Sequence, residues 1–265
     1  MRFIDQTGHS IEFAGIPKKI VSVVPSQTEL LFDLGLDEEV VGITKFCIHP
    51  EIWFRTKTRV GGTKKLDPDK IESLQPDLII ANKEENDRVQ IEKLRKKFNV
   101  WVSDIKTLDD ALSMIISIGD ITGKFDRARS IVHEISAGFT HWQGMKSDRV
   151  MSSAYLIWNH PLMVAGQNTF IHEMMSKFGL KNVFSSTERY PEVTLDELRR
   201  KKPDVLLLSS EPYPFKEIDA AEFRELLPGV KVITVDGELF SWYGSRLIKT
   251  PYYFEELDRQ IKIAL

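Results

Sequence analysis

Short aliphatic runs and three-and-four spaced apolar stripes alternate along most of the chain. Residues 20–24, 40–44, 78–81, 100–102, 154–158, 205–208 and 232–235 are strand-length runs bounded by turn residues. Between them the spacing predicts helices over 26–34, 68–74, 87–98, 108–121, 169–178 and 194–198. Asp67 before Pro68 reads as an N-cap followed by proline at the first helical position, and Thr107 caps the helix after it. Residues 2–13 read as a small β-hairpin. Residues 46–59 read as a loop carrying Phe46, Trp53 and Phe54, with His49 and Pro50 among them.

The longest stripe covers residues 124–146. Phe125, Ala128, Ile131, Val132, Ile135, Phe139 and Trp142 share one face, and Lys124, Asp126, Arg127, Arg129, Glu134 and Gln143 share the other. Such a helix is a rod of roughly 35 Å, about the width of a small domain. Gly123 and Gly144 punctuate its ends.

The two sides of this rod repeat one plan. Before it, Gln75-Pro76-Asp77 stops a short helix and an aliphatic strand follows; after it, Lys202-Pro203-Asp204 does the same. Each side also opens with a strand, a turn and a helix that ends at Gly-Leu, Gly35-Leu36 and Gly179-Leu180. The expectation is α/β: an N-terminal lobe over 1–122, a connecting helix over 123–147 and a C-terminal lobe over 148–265.

With 42% hydrophobic and 28% charged residues in 265, the chain has the composition of a soluble globular protein. A net charge of -3 and a pI near 6.1, with no basic block interleaved with aromatics, exclude bulk nucleic-acid binding. One cysteine, Cys47, excludes an internal disulfide and a cysteine-rich metal site. No apolar run reaches transmembrane length, and the first ten residues lack a signal core. The expected location is the periplasm or cell envelope if a signal has been removed, and the cytoplasm otherwise.

Catalytic signatures are missing. There is no G-x-S-x-G elbow, and Gly119-Asp120-Ile121-Thr122-Gly123-Lys124 is a residue short of a phosphate loop and lies between helices. His172-Glu173 lacks the second histidine of a zinc protease. The chain is expected to be no enzyme and to need no cofactor. The informative residues sit after strand ends: Trp158-Asn159-His160-Pro161, the loop 185–192 with Arg189-Tyr190-Pro191, Ser209-Ser210-Glu211-Pro212-Tyr213-Pro214-Phe215, and 236–246. Ligands of open α/β sheets bind at the carboxyl ends of strands, and aromatics in several such loops suit a flat or ring-shaped ligand with polar groups at its rim. His49 and His160 lie in loops from which a histidine can ligate a chelated cobalt or iron axially, or simply face solvent.

These marks, above all Ile20-Val21-Ser22-Val23-Val24-Pro25-Ser26-Gln27-Thr28-Glu29-Leu30-Leu31, Val40-Val41-Gly42 and Gln75-Pro76-Asp77-Leu78-Ile79-Ile80, resemble the substrate-binding proteins of bacterial ABC importers. Specifically, they resemble the helical-backbone metal-receptor group that carries cobalamin, ferric siderophores and haem, and the cobalamin binders most. The resemblance implies two Rossmann-like lobes joined by one long helix, ligand in the inter-lobe cleft, and delivery to a membrane permease. By position it implies Trp158, Tyr190 and Trp242 as aromatic ligand contacts and Arg246 as a polar rim group. Asn82 stands near where cobalamin binders tend to carry tryptophan. The resemblance also implies permease docking through Glu84 or Glu85 in the first lobe and Asp196 or Glu197 in the second. A monomer is expected, with a corrinoid, siderophore or haem as its small-molecule partner. A cytoplasmic chelate sensor on the same fold is the alternative, and a metallocluster enzyme would need more cysteines.

Overall fold

The computed structural model describes residues 1–146 and 150–263. In chain order it runs β1 (Arg2–Ile4), β2 (Ser10–Glu12), β3 (Ile20–Ser22), α1 (Pro25–Asp33), β4 (Val40–Ile43), α2 (Glu51–Thr56), β5 (Thr58–Arg59), α3 (Pro68–Leu74), β6 (Leu78–Asn82), α4 (Arg88–Arg95), β7 (Val100–Ser103), α5 (Leu108–Thr122) and α6 (Phe125–Met145). There follow β8 (Met151–Trp158), β9 (Met163–Val164), α7 (Phe170–Phe178), β10 (Leu180–Asn182), α8 (Leu195–Lys201), β11 (Val205–Ser209), α9 (Glu217–Leu226), β12 (Lys231–Val235), α10 (Glu238–Ser241) and α11 (Thr250–Ile263). Among the described residues no helix is long and apolar enough to cross a membrane.

The chain forms two compact units. One comprises Met1–Ile105, Asp109–Ile135 and Tyr243–Arg246; the other comprises Lys106–Leu108, Ser136–Trp242 and the chain from Leu247. The boundary between them falls inside α6, and the expected boundary after residue 147 lies outside the described residues.

Each unit is built on a parallel sheet. The first has the order β5-β4-β3-β6-β7, and the second β10-β8-β11-β12 with β9 antiparallel on β8. Helices cover both faces, so the central strands β3, β6 and β11 are buried at every residue, which is why they read as unbroken aliphatic runs. Val21, Ile79 and Val100 pack with Ile71 and Leu94 in the first core; Leu156, Leu206 and Val232 pack with Leu198 and Phe223 in the second.

Helix α6 buries Ala128, Ile131, Ile135, Phe139 and Trp142, the predicted stripe. Phe125 departs from it: the ring is exposed, with the Arg129 guanidinium 6.0 Å from its centre. In the second unit Trp142 stacks on Phe178 at 5.4 Å and donates from Nε1 to the Lys177 carbonyl. Residues 46–59 are no simple loop, since they hold α2 and β5. Trp53 is fully buried there, edge-on to Phe32, with its indole N–H on the Asp37 carboxylate. A helix this short carries too few residues for its periodicity to stand out.

Candidate ligand site

In both sheets the strand order reverses beside the first strand of the unit, between β3 and β6 and between β8 and β11. The crevice outside the carboxyl ends at such a point is where this architecture holds ligands. The two crevices are furnished differently.

In the second unit, β8 ends at Trp158, a residue that remains 39% exposed although it closes a buried strand. It packs edge-on against Tyr213 at 5.7 Å. Tyr213 leans on Phe215 at 4.7 Å, and Phe215 reaches Phe223 in the core at 6.3 Å. A ladder of rings therefore runs from the interior to an exposed indole face. Trp158 pairs with Met163 of β9, and Met163 bridges to Glu192, so the loop bearing half-buried Tyr190 continues the same edge. The Arg189 guanidinium lies 6.0 Å from the Tyr190 ring. His160 is exposed in the turn after Trp158, with φ 60 and a cis bond to Pro161.

Behind these rings lies a polar network. The Tyr155 hydroxyl, fully buried, is 3.0 Å from Ser209 Oγ, and burial pushes its phenol well above the ordinary tyrosine range. Glu211 Oε1 accepts from Ser241 Oγ and from Trp242 Nε1, each at 2.8 Å. Burial raises the Glu211 carboxyl above the usual glutamate value, and the charges of Glu238 and Asp236 add to that. Tyr253, pushed up to about 12 chiefly by burial, accepts from the Asp236 N–H.

The first unit carries amide side chains at the carboxyl end of β6. Asn82 is 2% exposed: its Oδ1 accepts from the N–H groups of Glu84 and Glu85, and its Nδ2 donates to Ser103 Oγ. Asn86 Oδ1 accepts from the Asn82 N–H, while its Nδ2 donates to the carbonyls of Val23 and Thr63 at 3.0 Å. Asn82, expected at the ligand, is thus a loop-building residue, because a buried amide must satisfy its own donors and acceptors.

Arg246 also departs from expectation. It is 9% exposed and makes a two-pronged pair with Glu29, Nε to Oε2 at 2.7 Å and Nη2 to Oε1 at 2.9 Å. Both residues belong to the first unit. A buried guanidinium needs such a partner, and the pair fixes where the guanidinium sits.

The four acidic positions are set by local structure. Glu84 and Glu85 are half-buried in the turn that Asn82 organises, and Glu84 also takes the Lys64 ammonium on its carbonyl. Asp196 is exposed and pairs with Arg199 at 3.0 Å. Glu197 accepts from the Thr194 N–H in a capping box, and that bond holds its carboxyl below the usual range. Among the described residues no three His, Cys, Asp or Glu side chains converge to hold a bare metal ion.

The family described as periplasmic binding protein matches residues 20–227. The chain belongs to that family. It is accordingly a substrate-binding protein, a solute receptor of the kind that serves ABC transporters. Among curated relatives it is 24% identical to the vitamin B12-binding protein of Pectobacterium carotovorum, over 88% of this chain and 85% of that one. It is 24% identical to the uncharacterized ABC transporter substrate-binding lipoprotein YvrC of Bacillus subtilis, over 92% and 81%. Among solved structures, the periplasmic vitamin B12 binding protein BtuF of Vibrio cholerae superposes with a TM-score of 0.79 at 23% identity, covering 94% of this chain and 98% of that one.

Sequence reasoning named Trp158 and Tyr190 on this edge, together with Trp242 of the same unit. It named neither Tyr213 nor Glu211, although both lie in a loop already marked as following a strand. Pro212 and Pro214 around Tyr213 were the available signal, since a proline-braced aromatic after a strand is poorly placed for core packing.

Proposed function

We propose that the protein captures a metal chelate, a cobalamin or related corrinoid, outside the cell membrane and delivers it to an ABC permease. The observation that carries this reading is the exposed Trp158 face backed by Tyr213 at the carboxyl end of β8. A planar macrocycle loses little entropy on binding and gains most from a rigid ring of this kind. The name of the Pectobacterium relative supports a corrinoid over other chelates. Trp158, Tyr190 and Trp242 are the aromatic contacts in this reading, and His160, exposed in the turn after Trp158, is the candidate axial group for a chelated metal. Glu84, Glu85, Asp196 and Glu197 serve as permease contacts, where rim charges steer and orient more than they add affinity. The receptor works as a monomer at the cell envelope.

The test is a titration with cobalamin followed by tryptophan quenching, corrected for absorbance, with haem and a ferric siderophore in parallel. Saturable quenching by cobalamin at micromolar concentration or below is expected. Response to haem or siderophore alone reassigns the ligand, and silence with all three removes the chelate reading.

A further inference from the structure

Trp242, 8% exposed, stands on a short element, and the structure shows what aims it. Helix α10 is a single turn, and Trp242 is its C-cap, with backbone in the extended region and its N–H on the Glu238 carbonyl. Nothing in so short a helix fixes an indole by propensity alone. Its Nε1–H instead ends on Glu211 Oε1, in the loop after β11, and the preceding side chain, Ser241, donates to the same oxygen. Two donors from one helix end thus converge on one acceptor of a neighbouring loop.

Glu211 is itself held. Ser209 Oγ donates to its carbonyl, and the same hydroxyl meets the buried Tyr155 phenol. Gly237 makes room for the arrangement: a Cβ there would lie 2.5 Å from Ser209 Oγ and 2.6 Å from Glu211 Cγ, closer than packed atoms allow. The Gly237 N–H donates to Ser210 Oγ, drawing the start of α10 onto the same loop. Two residues beyond Glu211 stands Tyr213, whose ring meets Trp158. One side chain therefore links the Trp158–Tyr213 pair to Trp242.

We propose that Glu211 is a positioning residue: its carboxyl group fixes the Trp242 indole and ties it to the loop that carries Tyr213, setting the spacing of the aromatic contacts before ligand arrives. The carboxyl works by accepting, so the protonated and ionised forms can both serve, since Oε1 retains lone pairs in either. A rigid aromatic that is oriented in advance binds with less ordering cost than one that must be caught. The proposal rests on the reading that Trp242 touches the ligand, and the experiment separates the two.

The first readout uses ligand-free wild type: the Trp242 indole N–H resonance, assigned by its loss in Trp242→Phe. It is expected to exchange slowly with solvent and to shift with pH as the carboxyl beside it titrates. Asp236 and Glu238 face the same group, so the shift is compared in Glu211→Gln, where it should flatten. The second readout is cobalamin affinity. Glu211→Ala is expected to bind about tenfold more weakly, the size of one lost anchoring interaction of about 1.4 kcal/mol. Glu211→Gln, which keeps the carbonyl acceptor, should bind as wild type does. An indole N–H that exchanges freely in wild type, or a Glu211→Gln variant as weak as Glu211→Ala, overturns the positioning role. Trp242→Phe binding cobalamin like wild type overturns the ligand reading at Trp242 instead, and leaves the ligand-free resonance to judge Glu211.

Discussion

The two units share a frame and differ at its working end. In the first, Gln75 takes a left-handed conformation after α3, and Asp77 turns back to accept from the N–H groups of Lys18 and Lys19 at the head of β3. In the second, Lys202 takes that conformation after α8, and Asp204 accepts from the Ser152 N–H and hydroxyl at the head of β8. Each aspartate also donates its own N–H to the carbonyl at that head, of Lys19 and of Ser152. At the opposite ends of the strands the likeness stops: Asn82 and Asn86 bond the turn together in one unit, and the Trp158–Tyr213 ring pair stands there in the other. The amino-terminal ends of the sheets hold the fold together, while the carboxyl-terminal ends are released to specialise.

The largest effect should come from the buried ion pair. Arg246→Ala takes the two-pronged guanidinium away from the buried Glu29 carboxylate, and should cost about 3–5 kcal/mol in urea unfolding. Replacing both residues by apolar side chains of similar size should recover most of the loss. Next, the two crevices should answer to different assays. Asn86→Ala strips the Val23 and Thr63 carbonyls of their donor and should lower stability by about 1–3 kcal/mol without changing cobalamin affinity. Trp158→Ala should do the reverse, weakening cobalamin binding by about 1–3 kcal/mol with little change in stability. A binding defect in Asn86→Ala would break the contrast between the crevices. The frame itself is probed by Asp77→Ala and Asp204→Ala, each expected to lose about 1 kcal/mol of stability. Clearly unequal losses would mean the matching turns do unequal work.

The smallest effect is the pH dependence of Glu211. Its raised carboxyl penalises the ionised form in the folded state, so its favourable contribution is complete below the ordinary glutamate value and is lost as pH rises through the raised one. Glu211→Gln cannot ionise. It should melt above wild type at mildly alkaline pH, with the advantage vanishing on acidification. An advantage independent of pH would assign the gain to packing.

Much of the frame was legible in the sequence because buried parallel strands and Pro-Asp stops have only local requirements. Asp67, the cap expected before Pro68, accepts the Lys70 N–H. The aromatic edge was partly legible, since Trp158 closes an aliphatic run at the exposed end of a strand. The partners of Arg246 and Asn82 were not legible, because a charged or amide residue in a loop looks the same whether it faces ligand or a partner far off in sequence. Glu29 lies 217 residues from Arg246, and no spacing rule reaches that far. Helix α9 was passed over for a different reason: its apolar residues Ile218, Ala220, Ala221, Phe223 and Leu226 are matched by five charged neighbours in Glu217, Asp219, Glu222, Arg224 and Glu225.

The segment Tyr243–Arg246 belongs to the first unit although the chain on both sides of it belongs to the second. It presses on α1 closely enough that a Cβ at Gly244 would lie 2.9 Å from the Ser26 carbonyl oxygen. During synthesis this imposes a wait. Glu29 leaves the ribosome 217 residues before the arginine that neutralises it. At roughly 5–20 residues per second that is a delay of roughly 10–40 s. Until then α1 carries a hydrated carboxylate where the finished protein has a dry one. The first unit to be begun is therefore closed only near the end of synthesis, and a nascent chain stalled before residue 246 holds an unfinished first half however long it is given.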